Sequence, residues 1–214
     1  MTPIKKNIML LSLFCILMVV VRILKTDQFS FIFLLWNLFL AYVPYAISKY
    51  ILRNIKTIPG TKLFIVGSIW LLFLPNAPYM ATDLFHLHKR EGLPIWYDLV
   101  LILLFSITGL YLFFISIQHV VTILNYKLPK INKLLFLTFV FIATSYGVYI
   151  GRFLRLNSWD IIHPFGLARQ CLSTILYYPR FIDMCSFTII YSLFLGLIYM
   201  LLQNNITIIN KKNA

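Results

Sequence analysis

The stretch LFIVGSIWLLFLPNAPYMATDLFHLH, residues 63–88, decides the fold. Its first twelve residues, Leu63 to Leu74, are mostly apolar and extend about 18 Å at the rise of an α-helix. Pro75 and Pro78 then remove two backbone donors within one turn, before a hydrocarbon core of about 30 Å has been crossed. Lipid cannot hydrogen-bond the backbone that the prolines release, so protein or water has to cover it.

This double-proline break has two interpretations. In the first, the third helix is kinked and the side chain of Asn76 bonds to its own chain. In the second, the helix is broken and lines a pocket that opens to the outer face of the membrane. The released carbonyls include those of Leu71 and Leu74, and Asn76 is a natural partner for them because it lies between the two prolines.

The composition places the rest of the chain in the same environment. Of its 214 residues, 61% are hydrophobic and 12% are charged, and the mean hydropathy is +0.87, values that exclude an ordinary soluble domain. Each crossing takes about 20 residues, so little of the chain remains for a soluble domain. We predict an all-α, polytopic membrane helix bundle that forms a single domain over residues 1–214.

Six apolar runs are predicted to cross the membrane, and the third carries the break. They cover residues 7–24, 29–47, 63–79, 97–124, 134–150 and 184–203. A further helical stripe at 164–178 has about 15 residues, which favours an interfacial helix over a crossing. The N-terminus lacks an A-x-A-like cleavage site, so the first helix is predicted to be retained.

The positive charges outside these runs predict the orientation. Eleven Lys and Arg side chains fall on the side of both termini, and eight fall on the other side together with all six carboxylates. Because Lys and Arg are retained in the cytoplasm, both termini are predicted to be cytoplasmic. The net charge of +13 then indicates the bilayer and its anionic lipid headgroups as partners, and not nucleic acid.

The reactive side chains collect in two segments on the predicted outer side. These candidates are Asn76, Asp83, His86, Arg152, Arg155, Asn157, Asp160 and His163. In each segment an aspartate precedes a histidine by three residues, a spacing that places both on one helix face. We predict acid–base catalysis by these two pairs, or a Zn²⁺ or Mn²⁺ site if the pairs converge. The alternative is that each aspartate only orients its histidine, and the sequence identifies no cofactor.

Arg152 and Arg155 follow the fifth run, and with Asn76 and Asn157 they are candidate substrate-binding residues. The planar guanidinium of arginine suits a phosphate or a carboxylate, so the pair could hold a phosphorylated ligand or a lipid headgroup. Alternatively, the two arginines pair with aspartates across the bundle and join the two segments.

Three other polar residues have simpler explanations. Asp98 lies in the first turn of the fourth helix, where a carboxylate usually accepts from free backbone N–H groups. Asn37 is placed near the bilayer centre, where a hydrogen bond between helices is expected. His119 is expected to be a satisfied interfacial histidine.

Three blocks of sequence resemble a known family. LPNAPYMATDLFHL (residues 74–87), WYD (96–98) and YIGRFLRLNSWD (149–160) are similar to the recurring motifs of a bacterial multi-pass membrane protein family labelled domain of unknown function 1361. The resemblance extends over roughly residues 10–203. It implies a protein of the bacterial cytoplasmic (inner) membrane and brings no activity, substrate or catalytic residue.

Three classes of function follow. A membrane enzyme that acts on a lipid-linked or phosphorylated substrate accounts for the reactive residues at one face. A noncatalytic subunit or assembly partner would use the same segments to bind another protein. A small-solute transporter would explain the broken helix, but the helix interiors offer few polar residues toward the cytoplasmic side.

The orientation is testable by thiol labelling. A cysteine that replaces His88 or Asn157 should react with an impermeant reagent added to intact cells, because both positions are predicted to face outward. Reaction only after permeabilisation would reverse the predicted orientation.

Overall fold

The computed structural model describes residues 3–88, 92–156, 158, 160, 165–166, 172–174 and 176–212. Its named elements are all helical, which confirms the predicted all-α class. They are α1 (Pro3–Thr26), α2 (Phe33–Arg53), α3 (Gly60–Phe73), α4 (Asn76–Tyr79), a 3-10 segment (Met80–His86), α5 (Ile95–Lys127), α6 (Lys133–Phe153) and α7 (Tyr178–Lys212).

Five segments within the described residues are long and apolar enough to cross a membrane. They are Lys5–Thr26, Gly60–His86, Ile95–Lys127, Lys133–Phe153 and Tyr178–Gln203. The other predicted crossing, at 29–47, is α2, which begins and ends later than predicted. Its 21 residues span about 31 Å, enough for a bilayer core. It is not among the five apolar segments, because its polar residues lower its mean hydropathy. Its crossing stays a prediction.

The chain forms two compact units, Met1–Leu128 and Pro129–Ala214, and the single domain over 1–214 stays a prediction. In the first unit, α5 is the central helix and contacts α1, α2, α4 and the 3-10 segment. Phe105 and Phe113 of α5 are fully buried. A helix that is apolar on all sides and covered by neighbours is expected at the centre of a membrane bundle.

The second unit contains the antiparallel pair α6 and α7. The ring of Tyr149 near the end of α6 lies 5.8 Å from that of Phe187, whereas Phe141, earlier in α6, lies 5.8 Å from Tyr199. Seven of the 15 residues of the predicted interfacial helix at 164–178 lie outside the described residues, and this helix stays a prediction.

The double-proline break is a change of helical winding and not an unwound segment. α3 ends at Phe73, and Leu74 and Pro75 both keep right-handed helical backbone angles. Short α4 and the 3-10 segment continue this path as far as His86. The helical path therefore ends seven residues later than predicted, at His86 and not at Tyr79.

Asn76 bonds to its own chain, as the first interpretation of the break proposed. The backbone N–H of Ala77 donates to the carbonyl of Leu74 at 3.3 Å and not to that of Phe73, its ordinary α-helical partner. The Asn76 side chain donates to the Phe73 carbonyl instead, at 2.9 Å. The side-chain amide of Asn76 thus gives the Phe73 carbonyl the hydrogen bond that a backbone N–H would give it in an uninterrupted α-helix.

Helix α5 covers the other side of the break. The hydroxyl oxygen of Ser106 lies 2.8 Å from the carbonyl oxygen of Ile102, in its own helix, and 2.9 Å from that of Met80. Its one proton is therefore shared between α5 and backbone that lipid could not satisfy. One turn along α5, Gly109 lies against Ala77, and a Cβ at this position would clash with the Ala77 carbonyl oxygen. Met80 and Ala77 are both fully buried, so protein covers the break on the side of α5, whereas Pro75, Asn76 and Tyr79 are half-buried.

Gly109→Ala should therefore destabilise the protein. The added methyl group has no room against the Ala77 backbone, and overpacking of this kind costs about 1–3 kcal/mol. Equilibrium unfolding in detergent micelles would measure the loss. Gly67→Ala is the matched control, because Gly67 lies within α3 with open space around its Cα. Equal stability of the two variants would contradict the close packing.

Candidate functional site

Asp83 is a buried carboxylate held between two helical elements. It lies on the 3-10 segment with 1% of its surface exposed. The side-chain amide of Asn37, on α2, donates to its Oδ2 atom at 3.0 Å. This confirms the predicted bond between helices. Asn37 lies only about 6 Å from the start of α2, and its position near the bilayer centre stays a prediction.

His86 lies on the same 3-10 segment and is exposed. Its ring meets the ring of Phe33 edge-on, with the centroids 5.5 Å apart. In a 3-10 helix, residues three apart stand above one another, so Asp83 and His86 share one face, as predicted. The carboxylate lies at the buried end of that face and the imidazole at its exposed end, an arrangement suited to proton transfer to an external group.

A buried ion pair lies at the same end of the first unit. Arg22 Nε donates to Asp98 Oδ1 at 2.7 Å, and Arg22 Nη2 donates to Oδ2 at 3.2 Å. Each side chain is only 1% exposed. The bidentate geometry joins α1 to α5 and neutralises two charges that would be costly in an apolar interior if left alone.

The interpretation of Asp98 as a helix cap is wrong. Helix α5 begins after Pro94, which gives it no side-chain cap, and both oxygens of Asp98 accept from Arg22. The guanidinium also lies 4.5 Å from the centre of the Phe31 ring. A buried cation attracts the carboxylate more strongly than free N–H groups do. Arg22 itself lies inside α1, which extends past it to Thr26.

A second polar network occupies the other end of the first unit. Trp70 donates to the hydroxyl of Ser116 at 2.8 Å, and Ser116 lies 3.0 Å from the hydroxyl of Ser48. His119 Nδ1 lies 3.1 Å from the same Ser48 oxygen. His119 thus has a hydrogen-bond partner, as expected. The network joins α2, α3 and α5, and sequence analysis gave no signal for Trp70 and Ser116.

The second unit carries the other predicted site residues. Arg152 lies inside the last turn of α6 and not after it, a position where a cation also stabilises the helix end. Arg155 follows the helix with φ +56°, while the N–H of Leu156 bonds back to the carbonyl of Ile150. This is the turn that usually ends a helix with glycine. Arg152 and Arg155 therefore do not share a helix face.

The remaining predicted residues are described only in part. Asp160 is half-buried, whereas Asn157 and His163 lie outside the described residues. Among the described part of the chain, no group of three or more His, Cys, Asp or Glu side chains could hold a metal ion. Asp83 and His86 belong to one unit and Asp160 to the other, so the meeting of the two segments stays a prediction.

A family model matches most of the chain. Its description is "Protein of unknown function (DUF1361)", and it covers residues 36–203. The chain belongs to the DUF1361 family. This confirms the resemblance seen in the three sequence blocks, all of which lie within the matched range, although the match begins later than residue 10. No curated protein and no solved structure matches the chain.

The ion pair predicts a large stability effect at Arg22. Arg22→Met should destabilise the protein by about 3–5 kcal/mol, because Asp98 would be left as a buried, uncompensated charge. The double variant Arg22→Met/Asp98→Leu should recover most of this loss. Equilibrium unfolding in detergent micelles would measure each variant.

Lys25→Met is the matched control for this prediction. Lys25 lies on the same helix and loses the same charge, but its side chain is exposed. Its replacement should change stability by less than about 0.5 kcal/mol. If Lys25→Met and Arg22→Met were equally stable, the ion pair would not hold α1 to α5.

Proposed function

We propose that this DUF1361 protein is a membrane enzyme that acts at the outer face of a bacterial cytoplasmic membrane, with both termini in the cytoplasm. Its substrate is a lipid-linked or phosphorylated compound. The observation that supports this most is the arrangement of Asp83 and His86 on the 3-10 segment, with a buried carboxylate below an exposed imidazole.

In this proposal, His86 is the general acid or base. Its ring is exposed, and an imidazole can exchange a proton near neutral pH. Asp83 would orient His86 and stabilise its protonated form, as carboxylates do beside catalytic histidines. Asn37 would keep the carboxylate in place through the 3.0 Å hydrogen bond.

The second segment would supply anion binding. Arg152, Arg155 and Asn157 would contact the phosphate group, and Asp160 with His163 would form the second acid–base pair. The guanidinium groups of Arg152 and Arg155 support this role, because a planar guanidinium can donate two parallel hydrogen bonds to a phosphate.

A second candidate function is a noncatalytic membrane subunit or assembly partner. The bonds of Asp98 to Arg22 and of Asp83 to Asn37 favour it, since both carboxylates already join helices to one another. In this case the outer segments would bind another protein, and their polar residues would stabilise a binding surface.

His86→Gln separates the two candidates. The purified protein in lipid nanodiscs would be incubated with phosphatidic acid, a polyprenyl phosphate and a polyprenyl diphosphate, and release of inorganic phosphate would be measured. Loss of a general acid–base group should lower the rate about 10²- to 10⁴-fold. His88→Gln is the matched control, since His88 is also exposed and has no role in the proposed chemistry.

Two results would contradict the proposed enzymatic function. One is no phosphate release by the wild type on any of these substrates. The other is equal rates for wild type and His86→Gln. The Asp83→Asn variant could retain the cellular function of the wild type but no longer copurify with a protein that the wild type binds. That result would favour the noncatalytic function.

A further inference from the structure

A groove between α1 and α2 lies at the end of the first unit opposite the candidate site. Its volume is about 320 Å³, at the lower end of the range for ligand sites. Its lining combines apolar side chains of α1 with cations and hydroxyls of both helices. The described lining residues are Lys5, Ile8, Met9, Ser12, Leu13, Ile16, Tyr42, Tyr45 and Lys49.

Polar groups concentrate along the α2 wall of this groove. Lys49 Nζ lies 3.3 Å from the hydroxyl of Tyr45 and 5.0 Å from the centre of its ring. The hydroxyls of Ser12 and Tyr42 are 2.6 Å apart and join the two helices. Lys5 enters from α1 and is exposed. Two ammonium groups and several hydroxyls therefore border one cavity.

The charge of the groove is unbalanced. No carboxylate is among its described lining residues. Asp27, just beyond the far end of α1, is about 33 Å from Lys5 along the helix axis. Asp98 is occupied by Arg22 at that same far end. The two lysines thus attract an anion, and protein acids in the described part of this unit do not supply it.

We propose that this groove binds one anionic phospholipid. Lys5 and Lys49 would contact the phosphate, the Ser12 and Tyr42 hydroxyls would bond to phosphate or glycerol oxygens, and an acyl chain would lie on Met9, Leu13 and Ile16. These three side chains are each more than 40% exposed. Apolar side chains beside paired cations match the structure of a phospholipid, which joins an anionic headgroup to hydrocarbon.

A second groove, between α6 and α7, does not share these properties. Its volume is larger, at about 560 Å³, and its lining is mainly apolar. Lys133 is the one cation among its described lining residues. Nothing identifies what covers this groove, so the proposal is restricted to the groove between α1 and α2.

Native mass spectrometry can test the proposal. The purified full-length protein in detergent would be titrated with palmitoyl-oleoyl phosphatidylglycerol and, separately, with palmitoyl-oleoyl phosphatidylcholine. We expect one phosphatidylglycerol molecule to bind in preference to phosphatidylcholine. Lys5→Gln/Lys49→Gln should weaken phosphatidylglycerol binding roughly five- to thirty-fold, since both removed charges lie at the headgroup site.

Lys56→Gln/Lys130→Gln is the matched control. It removes the same charge from two exposed lysines that do not line the groove, and should leave phosphatidylglycerol binding unchanged. Met9→Trp tests the apolar part of the groove. The indole ring is larger than the methionine side chain and would fill the groove without changing its charge. It should also weaken binding, while size-exclusion elution shows whether each variant remains folded.

Three outcomes would overturn the proposal. One is equal binding of the two phospholipids by the wild type. Another is equal loss of binding in the two double lysine variants, which would indicate attraction by net charge alone. The third is binding of glycerol 3-phosphate as tightly as phosphatidylglycerol, because a site for the phosphate alone would not need the apolar groove.

Discussion

Lipid offers no hydrogen bonds, and this constraint explains most of the polar contacts in the first unit. The double-proline break releases backbone groups inside an apolar segment, so each group needs a partner from the protein itself. Asn76 satisfies the carbonyl of Phe73, and Ser106 satisfies that of Met80. The small residue Gly109 lets the two helical segments approach closely enough for this to happen. The break is thus stable only as part of a packed bundle.

The same constraint explains why these buried charged side chains have hydrogen-bond partners. Arg22 and Asp98 form a bidentate pair at 1% exposure, and Asp83 accepts from Asn37. Replacing such groups by apolar residues is often harmless, but removing one partner is costly. These contacts therefore fix which helices are neighbours. Asp83 and Asp98 are thus held inside the bundle, whereas His86 is exposed, which is why the proposed chemistry depends on it.

Much of the architecture follows from the sequence because bilayer length and hydropathy are local properties. Five of the six predicted crossings coincide with long apolar helices, with ends that differ by up to seven residues. The 3-10 continuation from Met80 to His86 was less predictable, since it depends on packing against α5. Which buried side chains bond to one another was the hardest feature to predict. Nothing in the residues near Asp98 indicates that its cation is Arg22, which lies 76 positions earlier, because hydropathy does not encode how helices pack.

The packing of α5 against the double-proline break has a consequence for how the protein is made. Residues 75–86 leave the ribosome before α5, which carries Ser106 and Gly109. When this segment first enters the membrane, the carbonyl of Met80 lacks the hydroxyl that later satisfies it. Water at the insertion site or the membrane surface has to serve in the interval. The carbonyl of Met80 therefore gains its Ser106 partner only when α5, which is synthesised later, has packed against this segment, so helix packing completes the hydrogen bonding at this point of the chain.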